Sequence, residues 1–185
     1  MNKINRKLAP FEGLPHRAIF GLAGWSGSGK TTLAEQLIAE LAGRGLTVAT
    51  IKHAHHDFEA DIEGKDSWRH RKAGARQVLV SSARRSALFT ERVPSETEPQ
   101  LAALLAALEP ADLVLVEGFK RDPLPKLEIW RACVGKPPLW QQDDWIVALA
   151  TDSPPENLAL PVFALSDAAG MADFICGFCQ LETAR

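Results

Sequence analysis

The residues Gly24-Trp25-Ser26-Gly27-Ser28-Gly29-Lys30-Thr31 fit the phosphate-loop pattern G-x-x-x-x-G-K-[ST] at every fixed position, and Thr32 follows directly. Glycines let the backbone curl into a nest whose N–H groups converge on one anion, where a Cβ would obstruct the approach. Gly24, Ser26, Gly27, Ser28 and Gly29 would line this nest, with Lys30, Thr31 and Thr32 at the start of the helix behind it. Lys30 supplies a mobile positive charge for β- and γ-phosphates, and the Thr31 hydroxyl suits a hard Mg²⁺ ion. The chemistry indicated is the binding of a nucleotide polyphosphate.

Other groups stand where such a site would use them. Glu117 closes the apolar run Asp112 to Val116, the end of a strand at which open α/β sheets bind ligands. Its carboxylate could hold Mg²⁺ or orient an attacking water; the alternative is a cap on a neighbouring helix. The stretch His53 to Asp66 gathers His53, His55 and His56 with several carboxylates. As a switch loop it would bring Asp57 or Asp61 to Mg²⁺ or water and His55 or His56 to a substrate; a solvated polar loop and a metal store are its other readings. Lys120, Arg121 and Lys126 cluster past Glu117 and could bind a second phosphorylated molecule, or form a charged loop. No N-K-x-D guanine signature occurs. Asp152, after Ala150-Thr151, could accept from the N1–H and exocyclic amine of guanine, or could simply begin a turn before Ser153-Pro154-Pro155.

The flanking patterns supply the elements that would position these groups. Ala18 to Ala23 reads as a buried strand entering the loop, and Leu33, Leu37, Ile38 and Leu41 recur at helical spacing behind it, stopped by Gly43 and Gly45. Thr47 to Ile51 is a second strand. A short helix over Ser67 to Gly74 carries Trp68, His70 and Arg71, read as one packed aromatic and two exposed cations. Gln77 to Val80 and Ala87 to Thr90 form a hairpin. Ser95 can cap a helix with Leu101, Leu104, Leu105 and Leu108 on one face. Lys126 to Arg131 alternates polar and apolar residues, like an edge strand solvated on one face, while Trp145 to Ala150 and Pro161 to Ala164 are further strands. The alternation predicts an α/β phosphate-loop NTPase fold, a mostly parallel sheet with helices on both faces and a hairpin and edge-strand appendage. Residues 1–16 would be an extension and 17–185 a single nucleotide-binding domain.

Composition narrows the partners. A net charge of −2 and a pI near 6.2 give no nucleic-acid footprint. The basic opening residues lack an apolar run after them, and no stretch reaches membrane-spanning length, so a cytoplasmic protein is expected. Cys133, Cys176 and Cys179 make a disulfide framework improbable. Cys176-Gly177-Phe178-Cys179 has the spacing of a redox or zinc half-site, but it sits among Phe174, Ile175 and Leu181, which favours a packed C-terminal helix.

Taken together, Gly24 to Thr32, Lys52-His53, His55-His56-Asp57, Asp61, Gly64-Lys65-Asp66-Ser67, Ala73-Gly74-Ala75, Leu115 to Lys120 and Lys126-Leu127-Glu128 resemble the MobB family, adaptors of molybdopterin-guanine dinucleotide biosynthesis. The likeness runs from about Ala18 to Asp152. It implies a cytoplasmic GTP-binding protein, often a homodimer and a feeble GTPase, that assists the guanylyltransferase attaching GMP to molybdopterin. By that analogy GTP and Mg²⁺ are the cofactors. Lys30, Asp61 and Glu117 would serve catalysis, Thr31 and Glu117 the Mg²⁺, and Asp152 the base. His55, His56 and Asp57 would lie in a switch loop, with Lys120 and Lys126 near the nucleotide or the pterin phosphate. The amphipathic strand at Lys126 and the hairpin offer edges through which a dimer could extend the sheet. Two other classes compete: an ATP-dependent small-molecule kinase or ligase, and a metallochaperone GTPase using the histidines.

Overall fold

The computed structural model describes residues 11, 13–54, 58–93 and 97–183. In chain order the elements are β1 (Ala18–Ala23), α1 (Lys30–Gly43), β2 (Val48–Lys52), α2 (Asp66–Lys72), β3 (Gln77–Ser81), β4 (Ser86–Thr90), α3 (Leu101–Ala106), β5 (Leu113–Glu117), β6 (Lys126–Trp130), a 3₁₀ turn (Ala132–Val134), β7 (Ile146–Thr151), β8 (Val162–Phe163) and α4 (Ala168–Cys179). They fall into two compact units, a body of residues 1–53 and 100–185 and an insert of residues 54–99.

The body is a six-stranded sheet in the order β2-β5-β1-β6-β7-β8, every pairing parallel. Parallel strands joined by helical crossovers are covered on both faces, which is why β1, β5 and β7 read as continuous apolar runs. Side chains alternate across β1. Phe20 and Leu22 face Leu37, Leu41, Met171 and Ile175 of α1 and α4, while Ile19 joins Leu101, Leu105, Val114 and Val116 on the α3 side. Phe20 meets Phe174 and Phe178 edge to face, at centroid separations of 6.5 and 6.0 Å. The expected sandwich of helices around a parallel sheet is the observed fold.

One strand differs from its pattern. β6 is no edge: it lies between β1 and β7, and Lys126 and Glu128 are only 1% and 0% exposed. The alternation that suggests a half-solvated strand comes from charges whose partners are supplied by tertiary structure. Lys126 Nζ donates to the carbonyls of Lys120 (3.1 Å) and Asp122 (2.8 Å) and pairs with Asp143 (2.9 Å). The Glu128 oxygens accept from the N–H groups of Leu139 (2.7 Å) and Trp140 (2.8 Å). Buried charges are tolerated only when so satisfied. β6 therefore offers no edge to a second copy, contrary to the expectation from its alternating pattern. α3 starts at Leu101 with Gln100 as its cap residue; Ser95 lies outside the described residues.

The insert holds α2 and the antiparallel β3–β4 hairpin, in register from Gln77↔Thr90 to Ser81↔Ser86. Ser82 shapes the turn, its N–H donating to the Arg85 carbonyl at 2.8 Å. Arg71, expected as an exposed cation, is instead the hub of the unit. Its guanidinium donates to Asp61 (3.2 Å), Glu91 (2.6 Å) and Glu59, and lies 5.2 Å from the Phe89 ring centre. Apolar burial is thin: Val78 is enclosed, whereas Leu79 and Leu88 are 67% and 59% exposed.

Candidate functional site

β1 delivers the chain into the phosphate loop at the carboxyl edge of the sheet. Gly24, Gly27 and Gly29 have φ of +148°, +81° and +95°, values an L side chain adopts with strain. At Gly24 the requirement is also one of space, because a Cβ would stand 2.5 Å from the Ile129 carbonyl oxygen of β6. Gly29 is the cap residue of α1, so the loop's free N–H groups and the helix N-terminus converge on the same place. The Ser28 hydroxyl is buried there with no hydrogen-bond partner.

Register brings the remaining groups together. β5 lies between β2 and β1, and Lys52 of β2 is aligned with Glu117 of β5, itself aligned with Leu22 of β1. Thr31 Oγ1 donates to Glu117 Oε1 at 3.3 Å, Lys52 Nζ lies 3.3 Å from the Thr31 hydroxyl, and the Lys52–Glu117 ion pair spans 3.7 Å. Hydroxyl and carboxylate are near enough for one small hard cation to take both, so this donor set fits Mg²⁺. Lys30 Nζ donates to the Trp25 carbonyl at 2.8 Å. Burial pushes its ammonium below the usual lysine range; Glu117 opposes this, and Lys120 and Lys52 add to it. Two nearby cations and a partly desolvated ammonium suit the charge of a polyphosphate. Gly118 turns the chain after Glu117 at φ +104°, with a Cβ there 2.8 Å from that of His53.

The same groups border a cleft of about 170 Å³ between α1 and β2, lined by Thr31, Glu35, Ile38, Thr50, Lys52 and Glu117 among others. A larger hollow of about 560 Å³ is lined by α2 residues and Ala73 alone. One helix surface cannot enclose a ligand, and the chemically competent groups border the smaller cleft.

Among the expected site residues, Gly24 to Thr32 and Glu117 come together in the body. Lys120 joins them, its Nζ 4.6 Å from the centre of the Trp25 ring. Asp152 follows β7 at the same carboxyl edge, two strands from β1, and accepts from Ser153 Oγ at 3.3 Å. Lys126 does not join; its donors are spent inside the body, and it is too buried to meet a phosphate. Asp61 belongs to the insert, its carboxylate held by Ser67 Oγ (2.8 Å), the Ile62 N–H (2.9 Å) and Arg71. Desolvation pushes that carboxyl up, but these hydrogen bonds outweigh it and hold the pKa below the usual range. His55, His56 and Asp57 lie outside the described residues. Lys52 joins the site although no role there is read from sequence, where it appears only as the lysine closing a strand and as part of the Lys52-His53 motif. The C-x-x-C pair sits within α4 with both residues buried; burial, then Cys176, pushes the Cys179 thiol up to about 12.

The sequence model for "Molybdopterin guanine dinucleotide synthesis protein B" matches residues 19–152, from β1 through Asp152. The chain belongs to the MobB family. The Escherichia coli K12 molybdopterin-guanine dinucleotide biosynthesis adapter protein is 41% identical over 167 residues, covering 89% of this chain and 94% of that protein. The Haemophilus influenzae protein of the same name is 42% identical over 157 residues, covering 85% and 86%. The crystal structure of Bacillus subtilis MobB superposes with a TM-score of 0.67 at 26% identity, covering 89% of this chain and 99% of that one.

Proposed function

We propose that this MobB-family chain is a GTP-binding accessory protein of molybdenum cofactor biosynthesis, acting with the guanylyltransferase that converts molybdopterin to molybdopterin guanine dinucleotide. The observation that carries the reading is the cluster of Lys30, Thr31, Lys52 and Glu117 at the mouth of the glycine loop, in a chain whose relatives are named as adapters of that synthesis. Lys30 and the loop N–H groups bind the phosphates of GTP. Thr31 and Glu117 would hold Mg²⁺, which would supply positive charge to offset that of the phosphates. Asp152 reads the guanine edge from the end of β7. Lys120, on the rim beside Trp25, meets a phosphate of the molybdopterin-type ligand.

Hydrolysis in this reading is slow. Asp61, as found, offers no free oxygen to deprotonate water, and its contribution is to hold residues 59–62 to Arg71. The protein works in the cytoplasm, and no helix among the described residues is long and apolar enough to cross a membrane. A homodimer forms through the insert, where a two-stranded sheet with exposed Leu79, Val80 and Leu88 gains most from a second copy. The kinase or ligase and metallochaperone alternatives are not favoured, because the relatives are named as adapters of molybdopterin-guanine dinucleotide biosynthesis.

The test is reconstitution. Purified guanylyltransferase, molybdopterin and Mg·GTP are assayed for dinucleotide formation with and without this protein, and complex formation is followed by size-exclusion chromatography. Faster formation with the wild type, lost with Lys30→Ala, is expected. Absence of both a rate effect and a complex would refute the assignment.

A further inference from the structure

The connection following β6 folds against the phosphate loop from the side of β1 opposite Glu117. Trp25, inside the loop, donates its indole N–H to the Pro137 carbonyl at 2.7 Å. The connection is fixed in turn by buried Glu128, which takes the N–H groups of Leu139 and Trp140. At its start stands Arg131. A Cβ placed on Gly29 would lie 3.5 Å from Arg131 Nη2, 3.8 Å from Cζ and 3.9 Å from Nε, so the guanidinium lies along the loop at the residue preceding Lys30.

That guanidinium lacks a counterpart. Arg131 Nε is buried without a hydrogen-bond partner, and among the described residues no carboxylate or carbonyl accepts from the guanidinium. An arginine carries a permanent charge and five donors in a rigid fork, and a desolvated donor left unmade costs free energy. Lys30, Lys52 and Lys120 surround the same loop, so the local field already repels a further cation. Pure packing would be served as well by an uncharged side chain. The fork matches one kind of occupant, a phosphate cradled by the loop it lies against.

We infer that Arg131 is a phosphate-binding residue, donating to the polyphosphate chain of the nucleotide from the side of the loop opposite Thr31 and Glu117. This rests on the nucleotide reading above and adds a group that the glycine-loop pattern does not contain. Bound this way, the nucleotide is clamped between a metal-binding side and an arginine side, and Glu128 acts as a positioning residue by fixing the connection that begins at Arg131.

The experiment titrates wild type, Lys30→Ala, Arg131→Ala and Arg131→Lys calorimetrically with Mg·GTP, Mg·GDP and Mg·ATP, and records thermal unfolding of each protein alone. Arg131→Ala should weaken GTP and GDP by roughly tenfold or more, with partial recovery in Arg131→Lys and little change in ligand-free melting. Wild-type GTP affinity in Arg131→Ala, while Lys30→Ala abolishes binding, would overturn this inference and leave the nucleotide reading standing. A loss that tracks lowered ligand-free stability, with Arg131→Lys no better than Arg131→Ala, would also overturn it, by assigning a packing role. Absence of nucleotide binding by the wild type overturns both. Preference for ATP with the same Arg131 dependence would support Arg131 and remove the guanine assignment.

Discussion

In the body, Lys126 and Glu128 are carried into the middle of a six-stranded sheet and given fixed backbone and carboxylate partners; in the insert, a largely buried Arg71 gathers Asp61 and the half-exposed Glu59 and Glu91 beside a hairpin that buries little. The body obtains its stability from apolar layers on both sheet faces, and its buried charges fix the connections around the phosphate loop. The described residues of the insert form no comparable layer, and a lone two-stranded sheet is marginal in water. The difference teaches where each role belongs. Nucleotide phosphates are best held by a frame that does not reorganise, whereas a unit held mainly by ion pairs and a thin apolar layer opens at smaller cost.

Breaking the body should therefore be far more damaging than breaking the insert. Lys126→Ala removes the buried partner of the partly exposed Asp143 carboxylate and of two carbonyls, and urea unfolding should show a loss of about 2 kcal/mol or more. A change below 1 kcal/mol would mean that the buried lysine is not the brace described. Arg71→Ala should act locally. Hydrogen exchange should speed up across residues 59–91 while amides of β1, β5 and β7 keep their protection; a uniform loss would erase the distinction between the units.

Acid offers a subtler separation. Asp61 has a depressed pKa in the folded insert, so its stabilisation is present above the ordinary aspartate value, near 4, and is lost as pH falls through the folded value. Asp112 of the body behaves the same way, held down by the Thr47 N–H and by Arg17. Glu128 works oppositely. Burial raises its pKa against the pull of the Leu139 and Trp140 N–H groups, so its contribution is present below the ordinary glutamate value and fades as pH rises through the folded one. The body thus has an offset not found among the described insert residues, and below about pH 4 the insert amides should lose protection first. Simultaneous loss throughout the chain would count against this. The smallest effect is chemical: at pH 8 an aromatic disulfide reagent should titrate only exposed Cys133 in the native protein, with Cys176 and Cys179 reacting after denaturation.

The parts of this architecture that depend on neighbours in sequence were readable. Gly24 to Thr32 declares itself because the loop, its glycines and its helix are contiguous, and the positions of Glu117 and Asp152 at the ends of β5 and β7 were traceable because each follows an apolar run. What sequence could not convey was which charges are satisfied from afar. Lys126 and Glu128 look like the polar face of an edge strand until residues 139–143 return to bond them. Arg71 looks like one cation in a basic helix until three carboxylates converge on it. Lys52 stands in the Lys52-His53 motif, but its place beside Thr31 comes from strand register, and Arg131 nears Gly29 through the return of the chain after β6, placements that leave no local pattern.

The proposed role requires the body to bind guanine nucleotide on its phosphate loop. Calorimetric titration of the purified protein with Mg·GTP and Mg·ATP, repeated on Lys30→Ala, tests it most directly. Tighter binding of GTP than of ATP, abolished by Lys30→Ala, is the predicted result; a preference for ATP, or GTP binding indifferent to Lys30→Ala, would contradict it.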